Sequence, residues 1–235
     1  MTISGLYDLL EVQKIDLEID RLLDRRQSLP ELAEYRKTHE LIQTLEARHG
    51  EAAEQLRDLE RQVDKAEGEL SILEAKLQEH ETRLFAGGMS GKETEYMRLE
   101  VESLRGQREA METRVLSLLD QLDPAREEVA ALQKQLDEAR EELSRLDGII
   151  RQEWKQIDAE LTRKEERKKE ALVPVPAHLV GLYEELRRTK EGVAIAAFEH
   201  GVCGGCHMSL SPSEREEAFS EELPRCVHCR RILVA

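Results

Sequence analysis

A repeat of apolar residues dominates this 235-residue chain and limits the folds open to it. From residue 35 to residue 84, steps alternating between three and four positions almost always reach an apolar side chain. The repeat positions are Tyr35, Thr38, Ile42, Leu45, His49, Ala52, Leu56, Leu59, Val63, Ala66, Leu70, Leu73, Leu77, His80 and Leu84. A 3.5-residue repeat kept over so many turns predicts a left-handed coiled coil, with the few polar members fixing its register.

A second run follows the same alternation, and Arg108 is its one polar member. Its positions are Met97, Val101, Leu104, Arg108, Met111, Val115, Leu118, Leu122, Ala125, Val129, Leu132, Leu136, Ala139, Leu143, Leu146 and Ile150, continuing loosely to Leu161. An earlier apolar stretch between Val12 and Leu22 has a different phase, and Pro30 is expected to kink the helix where the phase changes. The sequence therefore predicts two long helical arms.

The composition agrees with long helices. Charged residues make up 36% of the chain and aromatic residues only 3%, which is typical of helices that bury a narrow seam instead of a thick core. The apolar fraction of 40% is too high and too periodic for a disordered acidic chain.

The segment FAGGMSGKE, residues 85–93, separates the two runs and contains Gly87, Gly88 and Gly91. Glycines break helices and permit a tight reversal, so the arms are expected to pair as an antiparallel hairpin with its tip here. If the tip binds a partner, the candidate contacts are Phe85, Met89, Lys92 and Glu93. The predicted fold is mainly α, with a coiled-coil hairpin over 1–173.

A smaller module is expected over 174–235, because Pro174 and Pro176 cannot continue the second arm. Residues 177–190 read as a short amphipathic helix and 192–198 as a strand. Ser211 precedes Pro212 and is followed by Glu214, a pattern that predicts a capping box and a short helix. The segment RILVA, residues 231–235, reads as a closing strand.

All four cysteines lie in this module, as two C-x-x-C pairs. They are Cys203 with Cys206, and Cys226 with Cys229, and 19 residues separate the pairs. This spacing is typical of a structural zinc site in which two tight turns together present four thiolates to one ion. The metal would substitute for a core that about 60 residues with few aromatics cannot build.

Other chemistries for these cysteines fit less well. C-x-x-C-H is also the attachment signature of c-type haem, but haem would leave the second pair unexplained. A thioredoxin-like couple lacks its βαβ context, and two disulfides fit only an oxidised, metal-free form. Iron in the same shell, or His207 or His228 in place of one cysteine, stays open. Because a closed shell leaves no position for substrate, and no nucleophile–base pair is evident, we expect no enzyme activity.

Charge and hydropathy bear on location and partners. The net charge of −15 should repel nucleic acid and anionic membranes at long range. No run of 18 apolar residues and no secretory signal is evident, so a cytoplasmic protein is expected.

Basic residues nevertheless gather near the base of the hairpin and in the C-terminal module. They include Arg163, Lys164, Arg167, Lys168, Lys169, Arg187, Arg188, Lys190, Arg225, Arg230 and Arg231. The last six are the candidate nucleic-acid contacts, although interleaved glutamates and the scarcity of aromatics for base stacking weigh against them.

Three stretches carry a resemblance to a known family: RLFAGGMSGKETEYMRLEVESL, LVGLYEELRRTKEGVAIAAFEHGVCGGCHMSL and CVHCRRIL. They resemble bacterial proteins with a coiled-coil hairpin followed by a C4-type zinc ribbon. Gly205, Leu210, Arg231, Ile232 and Leu233 match the ribbon pattern of that family. At the tip, Lys92-Glu93 is retained but the Asn-Pro pair common in the family is absent, so the partner bound there is expected to differ.

The resemblance implies a non-enzymatic role. Members are described as nucleic-acid-binding proteins, or as adaptors or chaperones for transcription or secretion components, including an RNA polymerase sigma factor. The residues and the resemblance together leave two hypotheses: a monomeric protein-binding scaffold with a structural Zn²⁺ ion, or an RNA- or DNA-binding protein that uses the basic surface near the ribbon.

Overall fold

The computed structural model describes residues 5–235, which form five α-helices and a small three-stranded sheet. The elements in chain order are α1 Leu6–Gln27, α2 Pro30–Ala86, α3 Gly91–Leu172, α4 Ala177–Thr189, β1 Ile195–Glu199, β2 Val202–Cys203, α5 Pro212–Ser220 and β3 Ile232–Val234. No helix within this range is both long and apolar enough to cross a membrane. The chain divides into two compact units, one of Glu34–Arg145 and one that joins the described residues up to Ala33 with Leu146–Ala235.

Within the unit Glu34–Arg145, α2 and α3 pair antiparallel. Arg105 contacts Glu81 at 2.5 Å and Arg140 contacts Glu46 at 2.7 Å, so residue numbers rise along one helix as they fall along the other. The largest buried cluster contains Ile42, Leu45, Ala52, Leu132, Leu136 and Ala139. The predicted hairpin is therefore confirmed.

The coiled-coil seam follows the 3.5-residue repeat along its whole length. Every repeat position from Tyr35 to Leu84 and from Met97 to Ile150 is buried or half-buried, including the polar members. Within Glu34–Arg145, residues of α2 and α3 share the buried clusters, so each helix covers the apolar stripe of the other.

The expected kink at Pro30 is instead a break between two helices. The first helix ends at Gln27, Ser28 and Leu29 are non-helical, and Pro30 is the first residue of α2. Proline is favoured at the first helical position because its missing N–H has no intrahelical acceptor there. The first arm is thus two separate helices.

The break gives α1 a role that the repeat does not suggest. Within its own unit, α1 packs against α4 and the sheet. Their shared core contains Leu6, Leu9, Val12, Val175, Leu179, Tyr183, Leu186, Ala194, Ile195, Ile232 and Val234. Helix α1 also lies beside the end of α3, where the Trp154 indole N–H donates to the Arg26 carbonyl oxygen at 3.1 Å.

The sheet has the strand order β2-β1-β3, with β1 in the middle. Strand β1 runs antiparallel to β2 and parallel to β3, and Ile195 pairs with Ile232. A second small core lies on the cysteine side of the sheet and contains Ala196, Phe198, Cys203, Leu210, Ala218, Cys226 and Leu233. The predicted capping box is present, with Ser211 and Glu214 at the start of α5.

Candidate metal centre and surrounding surfaces

The four cysteine sulfur atoms converge on one point. All four lie within 4.8 Å of one another, and the Cys203–Cys229 and Cys206–Cys226 Sγ–Sγ distances are both 3.8 Å. A tetrahedral ion with zinc–sulfur bonds of about 2.3 Å places its ligands about 3.8 Å apart. The residues present therefore fit zinc with four thiolate ligands.

The two cysteine pairs form matching turns. In each, the residue after the second cysteine donates its backbone N–H to the carbonyl oxygen of the first cysteine: His207 to Cys203 and Arg230 to Cys226, both at 2.8 Å. His207 and Arg230 also share a left-handed backbone, with φ of 59° and 62°. This repeat explains why a spacing of two residues suffices to aim both sulfurs inward.

The burial of the cysteine thiols favours a bound cation at this site. Burial raises the pKa of Cys203 to about 12, although the Gly205 N–H donates to its sulfur at 3.4 Å. Burial also acts on Cys229, but hydrogen bonds from Arg231, Cys206 and Cys226 together outweigh it and lower its pKa to about 7. A divalent ion that replaces the thiol protons removes the cost of burying thiolates, so the four cysteines form a structural zinc site.

The neighbouring histidines lie outside the four-cysteine shell. His207 is exposed, and His228 Nε2 lies 3.6 Å from Glu214 Oε1 at the start of α5. The cysteines complete a tetrahedral set without either imidazole.

Arg231, a predicted nucleic-acid contact, makes hydrogen bonds that hold parts of the ribbon unit together. Its guanidinium donates to the carbonyl oxygens of Val193 at 2.8 Å, Gly205 at 3.2 Å and Lys190 at 3.2 Å. A Cβ atom on Gly205 would lie 2.6 Å from Arg231 Cδ, so any larger residue there would have to displace the Arg231 side chain. Arg231 therefore connects the first cysteine turn to the segment that enters β1.

Arg187 is also engaged within the protein. It contacts Asp20 at 2.6 Å and Asp16 at 3.6 Å. The other predicted nucleic-acid contacts are Arg188, Lys190, Arg225 and Arg230, whose side chains make no ion pair or hydrogen bond among residues 5–235.

Much of the basic charge on the last turns of α3 is neutralised in the same way. Lys164 pairs with Glu18, and Lys168 pairs with Asp16 at 2.8 Å and with Glu184 at 3.2 Å. The acidic partners lie on α1 and α4. Five of the eleven basic residues named in the sequence analysis are thus engaged within the protein, namely Lys164, Arg167, Lys168, Arg187 and Arg231.

Two buried polar residues of α1 had no counterpart among the predicted functional residues. Asp16 is only 1% exposed and accepts a hydrogen bond from the Tyr183 hydroxyl at 2.6 Å. Burial, followed by this hydrogen bond, raises the pKa of Tyr183 far above its usual range. The sequence signal for the burial of Asp16 was its position next to Ile15, on the apolar face of α1.

Gln13 is the second of these residues. Its side-chain oxygen accepts the N–H groups of Ala194 at 2.7 Å and Ile195 at 2.8 Å, and its amide nitrogen donates to the Ile195 carbonyl oxygen at 2.7 Å. The amide thus satisfies backbone groups at the start of β1, where no neighbouring strand does so.

At the hairpin tip, some of the candidate partner-binding residues are exposed, and one of them caps a helix. Phe85 is 81% exposed and Lys92 is also exposed, whereas Met89 is half-buried. Glu93 accepts the backbone N–H of Ser90 at 2.8 Å and so caps α3. Its carboxylate therefore has a structural task at the turn.

Comparison with known proteins gives two family matches. Residues 12–191 match the family described as the CT398-like coiled coil hairpin domain, and residues 202–233 match the C4-type zinc ribbon domain. The uncharacterized proteins MT2288 and Rv2229c of Mycobacterium tuberculosis are each 23% identical over 236 residues, covering 96% of this chain and 93% of their own length.

Solved structures share the fold. CT398 from Chlamydia trachomatis has a TM-score of 0.72 at 21% identity, covering 97% of this chain and 96% of its own. A protein from Mycobacterium smegmatis has a TM-score of 0.82 at 20% identity, covering 98% and 97%. HP0958 from Helicobacter pylori has a TM-score of 0.51 at 21% identity with the same coverage, 98% and 97%. The architecture of hairpin and ribbon is thus shared across these bacteria.

Proposed function

This chain belongs to the CT398-like coiled-coil hairpin family and carries a C4-type zinc ribbon, and from that premise we propose that it is a non-enzymatic adaptor that binds other proteins. It acts as a monomer in the cytoplasm, and its partner belongs to the transcription or secretion machinery, with an RNA polymerase sigma factor as the first candidate. The zinc ion has a structural role, because four thiolates leave no coordination position for a substrate.

The observation that carries this proposal is the contrast between the seam and the tip. The seam buries its apolar residues within the hairpin, yet Phe85, Tyr96 and Leu99 remain exposed close to the glycine turn. Exposed aromatic and leucine side chains at the end of a helical hairpin suit a protein partner that covers them.

The test is affinity purification of the tagged chain from its native cytosol, divided and run with and without nuclease. A tip variant carries Phe85→Ser, Tyr96→Ser and Leu99→Ser. The matched control carries Leu41→Ser, Ile72→Ser and Leu116→Ser, three exposed apolar residues of the same two helices away from the turn. We expect a protein partner that survives nuclease, is lost with the tip variant and is retained with the control.

Retention of the partner by the tip variant would move the contact away from the tip. The absence of any protein partner after nuclease treatment would contradict the adaptor proposal as a whole.

A second candidate function is nucleic-acid binding, favoured by Arg188, Lys190, Arg225 and Arg230, whose side chains have no ion pair or hydrogen bond within the described residues 5–235. The variant that tests it is Arg188→Glu, Arg225→Glu and Arg230→Glu, which leaves the structural Arg231 intact. Nucleic-acid binding would weaken steeply with salt and be lost in this variant, because it depends on neutralising phosphates. Binding that is indifferent to both changes would exclude this candidate.

A further inference from the structure

A groove runs beside Phe219 on the unit that contains the ribbon. It consists of two adjoining hollows of about 500 and 520 Å³, and both are lined by Phe219 and Ala235. Its apolar lining comes from Leu6, Leu210, Phe219, Pro224, Leu233 and Val234. We call this surface the Phe219 groove.

Packed aromatic residues hold the sides of the groove in place. The Phe219 ring lies against the Phe198 ring, with centroids 5.4 Å apart and planes tilted by 58°. On the other side, Tyr7 is exposed and its hydroxyl donates to the Ala235 carbonyl oxygen. The groove is thus formed by elements from both ends of the described chain.

The rim of the groove is acidic. Glu216, Glu221 and Glu222 line it, all three are exposed, and none forms an ion pair among residues 5–235. Among the described residues of the lining, Arg215 is the basic one, and its guanidinium lies over the Phe198 ring at 5.7 Å. Three unneutralised carboxylates around an apolar floor favour a ligand that brings an apolar side chain and positive charge together.

We propose that the Phe219 groove is a docking surface for a peptide segment of a partner protein, one in which a large apolar residue is flanked by lysine or arginine. This deepens the adaptor function and rests on it. The apolar residue lies on the half-buried Phe219 and Pro224, while the flanking cations face the glutamates of the rim. The adaptor thereby has a contact surface on its ribbon unit in addition to the hairpin tip.

The test uses a synthetic twelve-residue peptide with Leu-Phe at its centre and lysine and arginine on both sides, labelled with fluorescein. Binding is measured by fluorescence anisotropy against the zinc-loaded full chain. The groove variant carries Glu216→Lys, Glu221→Lys and Glu222→Lys. The matched control carries Glu127→Lys, Glu128→Lys and Glu141→Lys, an equal change of charge on exposed positions of α3.

We expect saturable binding to the unmodified chain and to the control, and binding about tenfold weaker to the groove variant, because three favourable charge contacts become repulsive. Replacing Leu-Phe in the peptide by Ser-Ser should abolish binding. A benzophenone at the Phe position should cross-link to residues 216–224. Equal affinity for all three proteins, cross-links elsewhere, or no saturable binding would each overturn the proposal.

Analytical sedimentation of the full chain tests whether a second copy of the chain, and not a peptide of a partner, occupies the groove. If the chain dimerises and the groove variant is monomeric, a second copy fills the groove and the peptide proposal is wrong. The adaptor function is tested independently. A nuclease-resistant partner that is lost with the tip variant supports it even when the peptide fails to bind, whereas its absence counts against it even when the peptide binds.

Discussion

The hydroxyl of Tyr183 donates a hydrogen bond to Asp16 Oδ2 at 2.6 Å, although the two residues are 167 positions apart in the chain. The other carboxylate oxygen of Asp16 contacts Lys168 Nζ at 2.8 Å. One buried carboxylate on α1 thus joins a residue of α4 and a residue of α3. A buried charge is stable only when such partners surround it.

Removing members of this cluster should have unequal effects on stability. We expect Tyr183→Phe to lower the free energy of unfolding by about 1–2 kcal/mol, the cost of one hydrogen bond to a charged group. Asp16→Ala should cost about 3 kcal/mol, because Lys168 and Arg187 lose their buried counter-charge. Urea unfolding followed by circular dichroism measures both, with Tyr96→Phe at an exposed site as the neutral control. Equal costs for the two variants would mean that the Asp16 carboxylate contributes no stability beyond its hydrogen bond with Tyr183.

Two glycine-to-alanine changes should have opposite signs. Gly205→Ala forces a Cβ atom to within 2.6 Å of Arg231 Cδ and 3.1 Å of Ala196 Cβ, and should destabilise the ribbon by about 2 kcal/mol. Gly181→Ala, in α4 with open space around it, should stabilise by about 0.5–1 kcal/mol. Thermal unfolding and competition for zinc with a chelator report both effects. Tolerance of Gly205→Ala would show that Arg231 is free to move away.

The left-handed residues after each cysteine pair offer a gain in stability. His207→Gly and Arg230→Gly should each stabilise the zinc-loaded ribbon by about 0.5–1 kcal/mol. Glycine removes the strain of a positive φ, and this gain exceeds the cost of the additional conformational freedom that glycine gives the unfolded chain. Met208→Gly, at a residue without a positive φ, should only destabilise. Chelator competition measures the result as retention of zinc. A loss of retention in both glycine variants would show that the side chains themselves are needed.

The two capping boxes predict a pH dependence. Hydrogen bonds from the backbone and side chain of Ser90 lower the pKa of Glu93, and those of Ser211 lower the pKa of Glu214. Because the folded pKa is depressed, each cap stabilises its helix above the ordinary glutamate range of about 4.3 and loses this effect as pH falls through the lowered value. Carboxylate NMR titration should place both groups below that range. Ser90→Ala should raise only the pKa of Glu93, and Ser211→Ala only that of Glu214, and each rise should be partial because the backbone N–H of residue 90 or 211 still donates to the carboxylate.

Removing zinc should loosen one compact unit and spare the other. On chelation, or in Cys203→Ser, we expect amide exchange to accelerate in residues 194–234 and also in α1, since α1 shares its core with β1 and β3. Residues 42–84 and 101–143 should stay protected, because their contacts lie within the hairpin. Hydrogen exchange read by mass spectrometry resolves these segments. Simultaneous loss of protection everywhere would contradict the independence of the hairpin.

The sequence predicted the features that depend on local periodicity or fixed spacing. The seam, the glycine turn and the four-cysteine zinc site were each predicted because a heptad repeat, a helix breaker or a pair of C-x-x-C turns specifies its own geometry. The capping box at Ser211 was predicted in the same way, and the equivalent pattern at Ser90 was overlooked inside the turn.

Contacts between distant segments escaped prediction. Asp16 and Gln13 look like ordinary polar residues of an amphipathic helix, and only the fold brings Tyr183 and Ala194 to them. The role of Arg231 could not be predicted for the same reason. In the sequence it resembles a basic surface residue, and only the structure shows its three carbonyl acceptors. Composition counts charges, but it does not show which of them are already paired.

The packing of α1 against β1 and β3 has a consequence for biosynthesis. A ribosome makes α1 before the strands and the α4 residues that cover it, which emerge about 160 to 220 positions later. The residues between them can close into their hairpin while translation continues. The apolar face of α1 therefore stays uncovered until those segments have emerged, and nascent-chain chaperones can bind this helix during that interval.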